Sequence, residues 1–267
     1  MEMAGILDLP LMREAVTSCH YFWEAGWGEC HAGNMSYLLS DDDIAEVEPF
    51  FMARPVRVPF GYDTAGLVGK SFLITRTGGQ FRTIVERAER DMGIIRVNEG
   101  SYDILWGYDN GAGRPTSELP AHLLCHASRL GSNPDNRLVM HTHPTYLNAM
   151  TTIADLDEKS FTETLWSLNS ECILVFPDGI GVLPWMVCGE GEIGPLTAKK
   201  MERYRIVVWP YHGIFSSGDS FDEAIGLIET VDKNAHVYVA VNGTPRHCIN
   251  ESQLKDLAAH FCLSAAF

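Results

Sequence analysis

The stretch GIIRV (93–97), NEGS (98–101) and YDILWG (102–107) constrains the fold more than any other part of the chain. β-Branched and aromatic runs on either side of a short, Gly-containing turn read as two strands folded back on one another. So short a turn forces antiparallel pairing, because a parallel neighbour needs a crossover of about a dozen residues. Further apolar runs read as strands: NMSYLLS (34–40), KSFLIT (70–75) with RTGGQF as the turn that follows, RLVMHTH (137–143), CILVF (172–176), GVLPWM (181–186) and RIVVWP (205–210). Helical spacing covers 11–26, 120–132, most of 144–168, 192–204, 220–241 and 251–262. Ser220 is the expected N-cap of the long helix, with acidic residues in its first turn. The acidic, Pro-punctuated segment 41–60 reads as loop with a short helix. Strands and helices interleave, yet tight turns join several strands. The expectation is an α/β chain with a mixed, largely antiparallel sheet flanked by helices, not a doubly wound parallel one. With no repeat, linker or composition break, residues 1–267 are expected to form one domain.

Composition excludes several function classes. The formal charge is −15, from 20 basic and 35 acidic side chains. Such a field repels phosphate backbones, so nucleic acid is not an expected partner, and any anionic substrate needs local donors. No segment approaches the roughly 18–20 apolar residues that span a bilayer, and the first residues lack a signal-peptide pattern. A cytoplasmic protein without a membrane partner is expected. The seven cysteines are widely spaced with no CxxC, which argues against a disulfide framework or a thiolate zinc knuckle.

The chemistry starts at VMHTHPTYL (139–147). In a strand, residues two apart point to one face, so His141 and His143 present two imidazoles side by side, and Pro144 ends the ladder. The same pair also fits hydrogen-bonded core histidines. An open catalytic zinc site takes three protein ligands. His212 is the better candidate for the third, because it follows the run RIVVWP and precedes Gly213, again at a strand end. His122 and His126 share a helix face at i, i+4, where they either pack or meet solvent. The remaining histidines stand singly.

The segments PTSELPAHLL, VMHTHPT, ECILVFPDGIGVLPWMV, EIG and VVWPYHGIFSSG together resemble the class II aldolase/adducin family over nearly the whole chain. The resemblance implies a three-layer α/β/α fold, a homotetramer and one Zn²⁺ per subunit held by His141, His143 and His212. It implies retro-aldol cleavage of a sugar phosphate, L-rhamnulose 1-phosphate, to dihydroxyacetone phosphate and L-lactaldehyde in rhamnose catabolism. Glu118 matches the family's catalytic acid/base. One departure stands out: in ECHAGN the residues Cys30, His31 and Ala32 replace part of the usual Gly-rich run, with Gly33 and Asn34 kept.

The residues themselves suit that chemistry. Glu118, in TSELP, lies where a loop enters a helix, a position that also suits an ordinary carboxylate favoured by the helix dipole. Phosphate donors are sought in the turn at Thr77, Gly78 and Gly79, whose N–H groups can form an anion nest. Thr116 and Ser117 at the helix entrance and Asn34 on the neighbouring strand join that candidate set. Plain turn and cap roles fit these residues as well, and Arg76 faces either phosphate or solvent. Glu171, just before the run 172–176, either faces solvent or reaches an active site across a subunit interface, at the aldehyde oxygen. No lysine stands near the motifs to form a Schiff base. The rival readings are fuculose-1-phosphate aldolase, a sugar-phosphate 4-epimerase such as ribulose-5-phosphate 4-epimerase, a zinc hydrolase, and a noncatalytic adducin-like module.

Overall fold

The computed structural model describes residues 5–189, 191–265 and 267. Its strands are β1 (Asn34–Leu38), β2 (Val56–Pro59), β3 (Ser71–Thr75), β4 (Met92–Asn98), β5 (Ser101–Gly107), β6 (Leu138–Thr142), β7 (Gly181–Val182), β8 (Ile206–Trp209) and β9 (Gly213–Gly218). The helices are α1 (Pro10–Glu24), α2 (Asp41–Val47), α3 (Ile84–Asp91), α4 (Tyr108–Gly111), α5 (Leu119–Ser132), α6 (Thr145–Met150), α7 (Glu158–Leu168), α8 (Ser170–Val175), α9 (Ile193–Met201), α10 (Phe221–Ala240) and α11 (Glu251–His260). Short 3₁₀ turns join some of them.

The strands form one sheet in the order β2-β5-β4-β3-β1-β6-β9-β8-β7. Every neighbouring pair is antiparallel except β7 with β8. The 98–101 turn closes the β4–β5 hairpin, and the sheet is mixed and largely antiparallel as its sequence requires. Side chains alternate across it. Leu73, Leu138, Met140, Val208 and Ile214 face a core shared with Met12, Phe22, Leu147, Trp166 and Leu227 of the helices on one side. Phe72 and Ile74 meet Leu119 and Leu123 of α5 on the other, and Val139, Val207 and Phe215 meet Cys125 of α5 and Met201 of α9. The result is three layers, α/β/α, with β1, β6 and β9 at the middle of the sheet.

Three expectations change. The run 172–175 is helical, not a strand, with Phe176 as its C-cap: Asn169 caps α8 by accepting from the Glu171 N–H at 3.0 Å, and Cys172, Ile173 and the capping Phe176 are buried. The strand expected over 181–186 shrinks to Gly181–Val182, because Pro184 has no N–H to give and Trp185 is exposed. The excursion 41–60 carries α2, with a reciprocal Ser40–Asp43 cap, and also an edge strand, β2, whose alternate burial was hidden by its prolines. All seven cysteines are free. No helix among the described residues is long and apolar enough to cross a membrane.

Candidate active site

The centre of the sheet delivers three imidazoles to one point. His141 lies at the end of β6, on the same face as Val139, and packs on Phe215 and Trp209. His143 follows two residues later. His212 sits in the three-residue connection from β8 to β9, where Trp209 pairs with Gly213. That connection needs Tyr211 at φ +64°, a conformation that costs a bulky residue free energy and is kept only when its surroundings enforce it. The anchors come from α6: the Tyr211 N–H donates to Thr151 Oγ1 at 3.1 Å, and Asn148 Nδ2 donates to the His212 carbonyl at 2.9 Å. Gly213 permits the close approach, since a Cβ there would lie 2.3 Å from the Thr142 carbonyl and 2.9 Å from the His143 ring.

The His141 Nε2 atom is 3.2 Å from Nε2 of His212 and 3.3 Å from Nε2 of His143. The partners of the other nitrogens decide what these atoms are. His141 Nδ1 lies 3.0 Å from the Ile214 carbonyl, and His143 Nδ1 lies 3.0 Å from a Glu29 carboxylate oxygen. Both partners can only accept, so each Nδ1 carries the proton and each Nε2 turns a lone pair to the centre. Burial, with His143 and His212 beside it, holds the His141 pKa well below its ordinary value. Burial brings that of His212 down to about 4. With the same tautomer at His212, three lone pairs converge on one point, an arrangement suited to a cation between them. Two nitrogens at about 2.05 Å from a tetrahedral ion lie about 3.3 Å apart, which is the spacing seen. The three ligand atoms all fall within 4.8 Å of one another.

Glu118 completes the cluster. It caps α5 from the loop 116–118, and its Oε2 lies 3.7 Å from His141 Nε2. Asn34 Nδ2, on β1, donates to the same oxygen at 2.9 Å. The Glu118 side chain is 11% exposed, and burial raises its pKa against the lowering effect of the Asn34 bond. α5 starts at Leu119, one residue before the proline expected to open it.

The other candidates divide. The loops at 77 and 116 are tied together: the Thr77 N–H donates to the Arg114 carbonyl at 3.1 Å and the Thr116 N–H to the Thr75 carbonyl at 2.8 Å. The Gly79 N–H donates to the Arg76 carbonyl, and the Glu118 N–H to Thr116 Oγ1. The anion nest expected at 77–79 is therefore partly spent on turn hydrogen bonds, although Gly78 keeps the left-handed φ of +68° that such a turn needs. Thr77 and Ser117 are exposed and Thr116 is buried. Arg76 pairs with Asp109 at 2.9 Å in a part-exposed position. Glu171 is not brought to the histidines within this chain. It lies at the start of α8 and lines a separate cavity of about 570 Å³ with Tyr146, Asp232 and His236.

Sequence reasoning missed the residues that brace the ligands. Trp27 accepts through its carbonyl from the His143 N–H at 3.0 Å and from Thr142 Oγ1 at 2.7 Å. Its indole N–H donates to Asp232, which also accepts from the Tyr146 and Leu147 N–H groups at the start of α6. Glu29 orients His143. An acid two residues beyond Trp27 was the only local hint.

Residues 13–239 match the Class II Aldolase and Adducin N-terminal domain. The chain belongs to the class II aldolase family. Among curated proteins, the rhamnulose-1-phosphate aldolase of Listeria monocytogenes serovar 1/2a is 42% identical to this class II aldolase over 265 residues, covering 97% of this chain and 96% of the relative. That of Mannheimia succiniciproducens is 38% identical, covering 97% of each. A sugar-phosphate aldolase structure from Thermotoga maritima superposes with a TM-score of 0.73 at 28% identity, covering 88% of this chain and 96% of the other. An L-fuculose 1-phosphate aldolase shares the fold at 18% identity, with a TM-score of 0.60 and coverage of 94% and 95%.

Proposed function

We propose that this class II aldolase cleaves L-rhamnulose 1-phosphate reversibly to dihydroxyacetone phosphate and L-lactaldehyde, with His141, His143 and His212 holding one Zn²⁺ per subunit. The observation that carries the reading is the convergence of three imidazole Nε2 atoms beside a buried carboxylate, in a chain 38–42% identical to curated rhamnulose-1-phosphate aldolases.

The ion, when bound, supplies the Lewis acidity that draws off the electron pair released as the C3–C4 bond breaks. The chain's residues do the rest. Imidazole ligates a metal in its neutral form, so three such ligands would leave the ion its full positive charge. In cleavage the C4 hydroxyl passes its proton to Glu171 as the aldehyde forms, C3 gains one from Glu118, and the two carboxyl groups re-equilibrate through solvent. Glu118 moves the proton at C3, delivering it in cleavage and removing it in condensation. Burial holds its pKa up towards the working range of an acid/base. Thr77, Gly78, Thr116 and Ser117 bind the phosphate end, for which the joined loops offer exposed hydroxyls against the acidic field of the protein, while Asn34, counted with them from the sequence, holds Glu118 instead. Glu171 serves the aldehyde oxygen from a neighbouring subunit of a homotetramer; its exposed place at the start of α8 suits that role. The chain acts as a single domain over 1–267, and its free cysteines suit the cytoplasm.

The test is product analysis of the metal-loaded protein with L-rhamnulose 1-phosphate. Release of dihydroxyacetone phosphate is expected from the parent. Glu118→Gln is expected to keep the metal and lose about 10²- to 10⁴-fold in turnover. Full activity in that variant would remove Glu118 from the mechanism.

A further inference from the structure

Behind Glu118 lies a buried row of polar groups that the reaction itself does not use. Asn34 and Ser36 are two apart on β1 and share a face; His122 and His126 are four apart on α5 and share a face; the two faces meet. Asn34 Oδ1 contacts His122 Nε2. His122 Nδ1 lies 2.6 Å from Ser36 Oγ, and Ser36 Oγ lies 2.9 Å from His126 Nε2. Both histidines are fully buried, and burial brings each pKa down to about 3, so both rings are neutral.

The direction of each bond follows from the next. A carboxylate oxygen accepts, so Asn34 turns its NH₂ to Glu118 and its oxygen to His122. His122 therefore carries its proton on Nε2 and accepts at Nδ1 from the Ser36 hydroxyl. Ser36 accepts in turn from Nε2–H of His126. The row ends there: His126 Nδ1 is buried and has no hydrogen-bond partner among the described residues. Reversing the row would flip every donor and place an N–H on that Nδ1. A buried donor without an acceptor is the more costly end state. The terminus thus agrees with the direction that Glu118 sets.

Resting on the reading of Glu118 as the proton carrier, we propose that His126, Ser36 and His122 form a one-way hydrogen-bond relay that fixes the Asn34 amide with its N–H on Glu118, making them positioning residues for that carboxylate. The relay holds Oε2 at the histidine cluster, where the C3 proton must move.

Two measurements test it on the metal-loaded protein. Long-range ¹H–¹⁵N spectra of histidine-labelled protein are expected to show His122 and His126 as neutral Nε2–H tautomers; an Nδ1–H tautomer on either ring overturns the relay, whatever the substrate. Ser36→Ala and His122→Phe are each expected to lower kcat about tenfold, the worth of one hydrogen bond to a charged group, with KM and bound metal unchanged. His122→Gln, which keeps an N–H near the Nε2 position, is expected to recover most of that loss. Parental kcat in His122→Phe, or no recovery in His122→Gln, overturns the proposal. Glu118→Gln is measured alongside. If it is inactive while Ser36→Ala and His122→Phe are unimpaired, only the relay falls; if it is fully active, the proton-carrier reading and the relay fall together.

Discussion

Lowering the pH from 7 to 5 is expected to destabilise the protein through His126, by an amount the structure fixes. The ring is fully buried and packs at 4.9 Å from the Phe72 ring. Burial brings its pKa to about 3, against about 6.5 in an unfolded chain. Above 6.5 neither state holds the proton and the group gives no slope. Between 6.5 and about 3 the unfolded chain takes up a proton that the native ring refuses, so stability is lost as pH falls. Each pH unit in that window costs about 1.36 kcal/mol, hence about 2 kcal/mol by pH 5. The assay is urea unfolding of the metal-loaded parent and of His126→Leu at both pH values. Proton competition at the metal ligands is common to the two proteins and cancels. The parent is expected to lose about 2 kcal/mol more than the variant between pH 7 and pH 5. Equal losses would mean that the native ring takes up the proton, and the account of a sealed neutral His126 would be wrong.

Other perturbations bear on the site directly. Gly213→Ala would place a methyl 2.3 Å from the Thr142 carbonyl; a loss of about 1–3 kcal/mol in unfolding stability is expected together with weaker metal retention, and a fully stable variant would contradict the close packing. Glu29→Gln removes the carboxylate on His143 Nδ1, and competition with a chelator is expected to show about 10- to 100-fold weaker metal affinity. His212→Ala is expected to abolish stoichiometric metal by elemental analysis while circular dichroism stays parental; retained metal would show that the other two histidines suffice.

Much of this was legible locally. The 98–101 turn dictated the β4–β5 hairpin, and period-two spacing put His141 and His143 on one face. His212 could be chosen because it closes an apolar run before a glycine. What escaped is non-local or depends on a cap. Asn169 turned the run 172–175 into a helix that its β-branched composition disguised. Tyr211 adopts a left-handed backbone only because Thr151 and Asn148, some sixty residues away in sequence, hold that loop. The meeting of Ser36 with His122 and His126 needs β1 and α5 in register, 86 and 90 residues apart, so spacing alone left that histidine pair between packing and solvent. Glu171 faces a cavity of its own because α8 begins where a strand was expected.

The ligand set also says something about the order in which this protein assembles. His141 and His212 are 71 residues apart in sequence, and they become neighbours only when β9 docks on β6. Two histidines on an unpaired β6 make a weak trap for an ion. Tight capture therefore waits for the long-range pairing that is slow to form, and uptake marks the completion of the sheet, not its start.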